Sequence, residues 1–115
     1  MKVYLAGPMT GIPYFNAPAF MAAAAKLRRE GHEVFNPAEA DMDHYGPDVL
    51  WGNETGDTLQ AALDGFKLRE TFAADLEYIC LKAEAIALLP GWQASRGANI
   101  ERTVAIHLGL AVLEL

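Results

Sequence analysis

Ala85-Ile86-Ala87-Leu88-Leu89 is an unbroken apolar run of five residues, closed at once by Pro90-Gly91. A strand that faces water on one side alternates apolar with polar residues. A run without alternation needs cover on both faces, the condition of a central strand in a parallel sheet. Parallel neighbours must be joined by long crossovers, usually helices. The rest of the chain should therefore supply short apolar strands separated by amphipathic helical patterns.

It does. Val3 to Ala6 is a second buried-strand segment, stopped by Gly7-Pro8. Phe20, Ala24 and Leu27 then recur at helical spacing behind Asn16, a good N-cap type, and Pro18, which suits a first helical turn; Gly31 is placed to end that helix. Glu33-Val34-Phe35-Asn36 resumes extended structure until Pro37, completing a β-α-β unit with the expected right-handed connection. Glu70 to Lys82 predicts a helix whose inner stripe is Phe72, Leu76, Ile79 and Ala83, with Asp75 beside it. Cys80, inside the apolar run Leu76 to Leu81, is expected to face the core. Gly97 opens another helix through His107, with Ile100, Val104 and Leu108 expected inward, and Leu110 to Leu113 forms a last strand after Gly109.

The predicted fold class is α/β: an open, mainly parallel, flavodoxin- or Rossmann-like sheet of four to five strands with helices on both faces. At 115 residues this is one domain, 1-115. Only 37-69 reads weakly. Gly46-Pro47, Gly52-Asn53 and Gly56-Asp57 mark turns there, and Asp57-Thr58 caps a short helix carrying Leu59, Leu63 and Phe66. So long a connection is expected to be a lid or insertion.

A net charge of −6 argues against binding polymeric nucleic acid, though a mononucleotide needs only a few N–H groups and one Arg. Cys80 is the only cysteine, so no intramolecular disulfide can form and a reducing compartment is implied. No 18-residue apolar stretch and no signal-peptide pattern appear, so no membrane contact is expected and the expected location is cytoplasmic.

Ligands of open α/β sheets bind beyond the carboxyl ends of the strands, where strand order reverses. That rule gathers three loops: Gly7 to Phe15, Asn36 onward, and Pro90 to Ala98. Gly7, Pro8, Met9 and Thr10 either approach an anion through backbone N–H groups or simply make a tight turn. Ser95, Arg96, Gly97 and Ala98 bring a hydroxyl, a guanidinium and free helix N–H groups together; read structurally, Ser95 is an N-cap and Arg96 a solvated charge. Glu101 is expected in the first turn of that helix, where the macrodipole favours an ionised carboxylate, whether for chemistry or for helix stability alone. Asp75 is a second carboxylate or an ordinary surface aspartate. Two carboxylates about 5 Å apart would suit double displacement at a glycosidic bond. Tyr4 and Trp92 either contact a base or sugar or merely pack. Asp41, Asp43 and His44 lack a partner cluster, so no metal site is expected, and no cofactor.

Taken together, Val3-Tyr4-Leu5-Ala6-Gly7-Pro8, Ala74-Asp75-Leu76, Ala83-Glu84-Ala85 and Ser95-x-Gly97-x-x-x-Glu101-x-x-x-Ala105 resemble the nucleoside 2-deoxyribosyltransferase superfamily. The opening, with Leu89-Pro90-Gly91-Trp92 and Ser95-Arg96-Gly97-Ala98, is most similar to its short uncharacterised bacterial and phage members of DUF4406 type. The last motif also resembles the deoxynucleoside monophosphate N-glycosidases. The resemblance implies that Glu101 attacks the anomeric carbon, Asp75 handles the proton at the base, Tyr4 sits beside nucleophile and sugar, and Ser95 with the Gly7 loop holds phosphate. It also implies a homodimer or higher homo-oligomer in which a neighbouring subunit completes the site. Asn99 stands where the glycosidases carry a second glycine, and Met9-Thr10-Gly11-Ile12-Pro13 is poorer in Gly and Arg than their phosphate loop. The expected function is hydrolysis or transfer at the N-glycosidic bond of a small-molecule nucleotide or nucleoside through a covalent glutamate intermediate. The alternative is a non-catalytic nucleotide-binding sensor or sponge.

Overall fold

The computed structural model describes residues 1–115. Four strands, β1 (Lys2–Ala6), β2 (Glu33–Phe35), β3 (Ala85–Leu88) and β4 (Ala111–Glu114), form one sheet in the order β2-β1-β3-β4. All neighbours are parallel. The chain leaves β1 for β2 on one side and returns to β3 on the other, so strand order reverses between β1 and β3. The apolar run starting at Ala85 is indeed a central strand, buried along its whole length.

Period-2 alternation sorts the side chains into two cores. Val3, Leu5, Ala85, Ala87 and Leu89 face α1 (Ala17–Arg29), α2 (Pro37–Tyr45), α3 (Asp48–Trp51) and α4 (Thr58–Leu63). Tyr4, Ala6, Ile86 and Leu88 face α5 (Leu68–Leu81) and α6 (Arg96–His107), packing on Ile79, Ala98 and Ala105. No helix is long and apolar enough to cross a membrane.

Four expectations need correction. The stretch 37-69 is largely helical, because Ala38, Val49, Leu50 and Ala61 all enter the first core and Asn36 and Asp57 each cap a helix. In α4 it is Ala61 that faces the core, leaving Leu59 and Leu63 exposed. The buried stripe of α6 is Ala98, Glu101 and Ala105, whereas Ile100 and Leu108 are exposed. One residue rotates a helix by about 100°, and here two small alanines allow close approach to the sheet. Cys80 is likewise exposed, since α5 turns Asp75 and Ile79 inward and Cys80 follows next around the helix.

Asn16 precedes α1 as expected but does not cap it. Its backbone is left-handed (φ 62°), like those of Tyr14 (φ 56°) and Phe15 (φ 51°), and its Nδ2 donates instead to the Pro8 carbonyl at 3.0 Å. Left-handed backbone costs a non-glycine residue roughly 1–2 kcal/mol. Burial of Phe15 and a hydrogen bond from the Tyr14 N–H to the Asn53 carbonyl hold the turn.

Candidate functional site

Tyr4 stands at the middle of β1, in register with Phe35 and Ile86 on its two neighbours. Its ring stacks on Phe35 at 5.5 Å and lies 6.4 Å from Tyr78, which fixes the direction of the hydroxyl. That hydroxyl donates to Glu101 Oε2 at 2.5 Å across 97 residues of sequence. The bond ties the inner face of α6 to the sheet and sets the rotation that moves Ile100 outward.

Glu101 lies in the second turn of α6 and not the first, because the helix starts at Arg96; it is 6% exposed and its pKa is pushed up to about 8. Burial is the main cause; the Tyr4 hydrogen bond opposes it and the charge of Asp75 adds to it. Asp75 projects from α5, also nearly covered, and burial raises its pKa to about 7 against a lowering influence from the Tyr4 hydroxyl. The geometry gives the one hydroxyl proton to Glu101, with Asp75 close enough to feel it. Tyr4 itself is held well above its usual pKa by burial and by the two carboxylates, so it remains a donor.

A third buried acid, Asp41 on α2, has its pKa raised to about 7, first by burial and then by Asp75. The sequence drew attention to Asp41 only as part of an unconvincing metal motif. Nothing in the sequence marks it as buried; in the structure it shares the inner side of α2 with Pro37 and Ala38. The chain's single ion pair, Arg28–Glu39, lies elsewhere, so no cation balances these three acids. No group of three or more His, Cys, Asp or Glu side chains is placed to hold a metal ion.

The flanking loops serve different ends. Gly7 is required by packing, since a Cβ there would come within 2.7 Å of Leu89 Cβ. The Pro8 ring lies beside Gly91, which joins the loops after β1 and β3 at the strand-order reversal. Beyond Thr10, which is exposed, the loop's N–H groups are committed: Gly11 donates to Gly56, Ile12 to Met9 and Tyr14 to Asn53. The N–H groups of Met9 and Thr10 make no backbone hydrogen bond. Asn36 is occupied as the cap of α2, accepting from the Ala38 N–H at 3.0 Å while its Nδ2 points at the Phe20 carbonyl and the Met21 sulfur.

Ser95 is the cap of α6, its Oγ accepting from the Ala98 N–H at 3.2 Å. Arg96 is exposed, and a Cβ on Gly97 would meet nothing, so the space beside this helix start is open. Ala98 is buried against the sheet rather than turned to that space. Asn99 directs its Nδ2 at the carbonyls of Trp92, Gln93 and Ser95, stapling the turn that leads into α6. Trp92 packs against the core that holds Tyr4, its Nε1 donates to Glu114 and its ring carries the Arg102 guanidinium at 4.9 Å.

The structure thus brings Tyr4, Glu101 and Asp75 together and adds Asp41, while Asn36 and Trp92 have jobs in the fold. The site is covered. Two hollows of about 650 and 280 Å³ open elsewhere, and neither is lined by Tyr4, Asp75 or Glu101.

A family described as "Domain of unknown function (DUF4406)" matches residues 1–114. No curated protein and no solved structure matches the chain. With all but the last residue matched, the chain belongs to the DUF4406 family.

Proposed function

We propose that this protein hydrolyses or transfers the N-glycosidic bond of a nucleotide or nucleoside through a covalent intermediate on Glu101. The observation that carries the proposal is the Tyr4–Glu101 hydrogen bond with Asp75 beside it, in a buried setting without counter-charge. Charged groups kept in so unfavourable an environment contribute little to a fold and are concentrated at sites of chemistry. The sequence resemblance to the nucleoside 2-deoxyribosyltransferases and the N-glycosidases supplies the bond.

The two carboxyl groups divide the work. Glu101 in its ionised form attacks the anomeric carbon; the bond to the base nitrogen breaks, its electron pair leaves with the base, and Asp75 gives that nitrogen a proton. Water then attacks the glycosyl ester, returning a proton to Asp75 and releasing Glu101; a second base in place of water makes the reaction a transfer. Tyr4 favours the ionised form of Glu101 through its hydrogen bond. Burial raises the Asp75 pKa to about 7, so that near neutrality a share of it carries the proton a general acid must give. The open space at Gly97 and the Ser95 hydroxyl at the start of α6 support binding of the sugar's phosphate there.

Leu68, Leu81, Ile106 and Leu115 present exposed apolar side chains, which supports the further proposal of a homo-oligomer. A second reading, nucleotide binding without turnover, is favoured by the coverage of the acids. Incubation with a panel of nucleoside monophosphates separates the two. Release of free base that Glu101→Ala abolishes supports the enzyme; thermal stabilisation without any release supports the binding module; neither response overturns both.

A further inference from the structure

The two edges of the sheet are finished differently. At β2 the edge is short and guarded: Arg28, held by both oxygens of Glu39, donates from Nη2 to the outward carbonyl of Val34 at 3.0 Å. At β4 no side chain does this. The Ala111 N–H donates to Glu84 and the Leu115 N–H to Leu88, so the alternate residues Val112 and Glu114 turn their N–H and C=O groups away from the sheet. Proteins blunt a bare edge with Lys, Pro or a bulge. Ala111-Val112-Leu113-Glu114 has neither residue type, and its register with β3 is unbroken.

The surroundings of that edge suit a copy of itself. Val112 and Glu114 stand in register with Ile86 and Leu88 and so share the α6 side of the sheet, while Leu113 lies on the other. Val112 and Leu115 are exposed, as is Ile106, one turn on from Arg102 along the flank of α6 that reaches Trp92 and, through it, Glu114. Arg102 has no ion pair in the chain and its Nε is covered without a partner; Glu114 has no cation. An unpaired cation and an unpaired acid flank one bare strand.

We propose that β4 is the subunit interface, two copies pairing this strand antiparallel about a two-fold axis at Leu113 to join their sheets into one. In that register Val112 exchanges N–H···O bonds with Glu114 of the partner subunit, and the reciprocal pair does the same, so the outward backbone groups of both residues are satisfied. Neither Glu114 then faces the other; each comes beside Val112 of the opposite copy, on the flank where Arg102 lacks an acid. Because β2 is guarded, β4 can pair only with another β4, which closes the assembly at two. The inference rests on the homo-oligomer proposed above and assigns it to one strand, leaving Leu68 and Leu81 of α5 outside the interface.

Sedimentation velocity over a concentration series, together with hydrogen exchange of the β4 amides, tests this. Wild type should be a dimer, with Val112 and Glu114 amides increasingly protected as concentration rises. Val112→Pro deletes an outward N–H while sparing the bonds to β3, and Val112→Lys puts a charge on the edge. Each should weaken association about tenfold or more, whereas Leu81→Lys should leave it unchanged. Thermal unfolding checks that each variant is folded, and the wild-type amides decide the question if one is not. An assembly larger than two, one whose Val112 and Glu114 amides exchange freely, or one that both Val112 variants leave intact overturns the β4 assignment while the homo-oligomer stands. A wild type that stays monomeric throughout overturns both.

Discussion

The Tyr4 hydroxyl and the Glu101 carboxylate meet at 2.5 Å although one lies on the first strand and the other on the last helix. Tyr4→Phe removes the only hydrogen bond made to that carboxylate. The account expects kcat to fall about 100-fold, the usual scale for losing one preorganised donor. Because the hydroxyl lowers the Glu101 pKa, which lies above that of Asp75, its loss should also move the basic limb of the pH–rate profile to higher pH. Steady-state rates across pH check both; a variant as active as wild type with an unmoved basic limb removes Tyr4 from the site.

Activity should follow a bell in pH. Glu101 must be ionised and Asp75 protonated, with pKa values near 8 and 7, so kcat/KM is expected to peak between pH 7 and 8 and to fall on both sides. Profiles of kcat/KM for wild type and Asp75→Asn measure this, and the variant should lose the basic limb. A maximum below pH 6 would contradict these assignments.

Stability should fall as pH rises. Asp41, Asp75 and Glu101 have raised pKa values in the folded protein, so between about pH 4 and about pH 8 the native state holds more protons than the unfolded one. Their favourable contribution is complete below the unfolded pKa values and is lost as pH climbs through the folded ones. Each pH unit separating the two is worth about 1.4 kcal/mol per group, an upper figure of on the order of 5 kcal/mol for Glu101. Thermal unfolding should give a higher midpoint at pH 5 than at pH 8.5, and Glu101→Gln should flatten the difference while raising the midpoint at pH 8.5. A midpoint that rises from pH 5 to 8.5 sinks this argument.

Much of the fold is legible in the chain because strands and glycine stops are local signals. The run at Ala85, the break at Gly7-Pro8 and the cap at Ser95 each carry their own physical reason. Which way a helix is turned is a tertiary matter. Ile100 and Leu108 match an inward stripe by hydropathy, but Ala98 and Ala105 permit the closer approach and Glu101 reaches Tyr4. In 37-69 the turn residues were visible, whereas helices as short as Asp48–Trp51 have too few residues to show a period. Of the candidate site, Tyr4, Asp75 and Glu101 were nameable from spacing and resemblance. Asp41 was not, because an acid on a short polar helix looks solvated until its neighbours are known.

Glycines on the two sides of the site should respond differently to alanine. Gly7→Ala drives a methyl into Leu89 and should cost about 1–3 kcal/mol. Gly97→Ala meets no atom of the chain and removes a poor helix former, so the fold should keep or gain up to about 1 kcal/mol. If the open space there receives substrate, nucleotide affinity should nevertheless drop. Denaturant melts and nucleotide titrations of both variants check this; equal destabilisation by the two would contradict the packing described.

The covalent Glu101 intermediate is tested most directly by intact-protein mass spectrometry of acid-quenched reactions with a nucleoside monophosphate that yields free base. The account predicts a wild-type species heavier by one sugar phosphate residue, mapping to the peptide that contains Glu101 and absent from Glu101→Ala. Base release by Glu101→Ala at the wild-type rate, with no adduct on either protein, would contradict it.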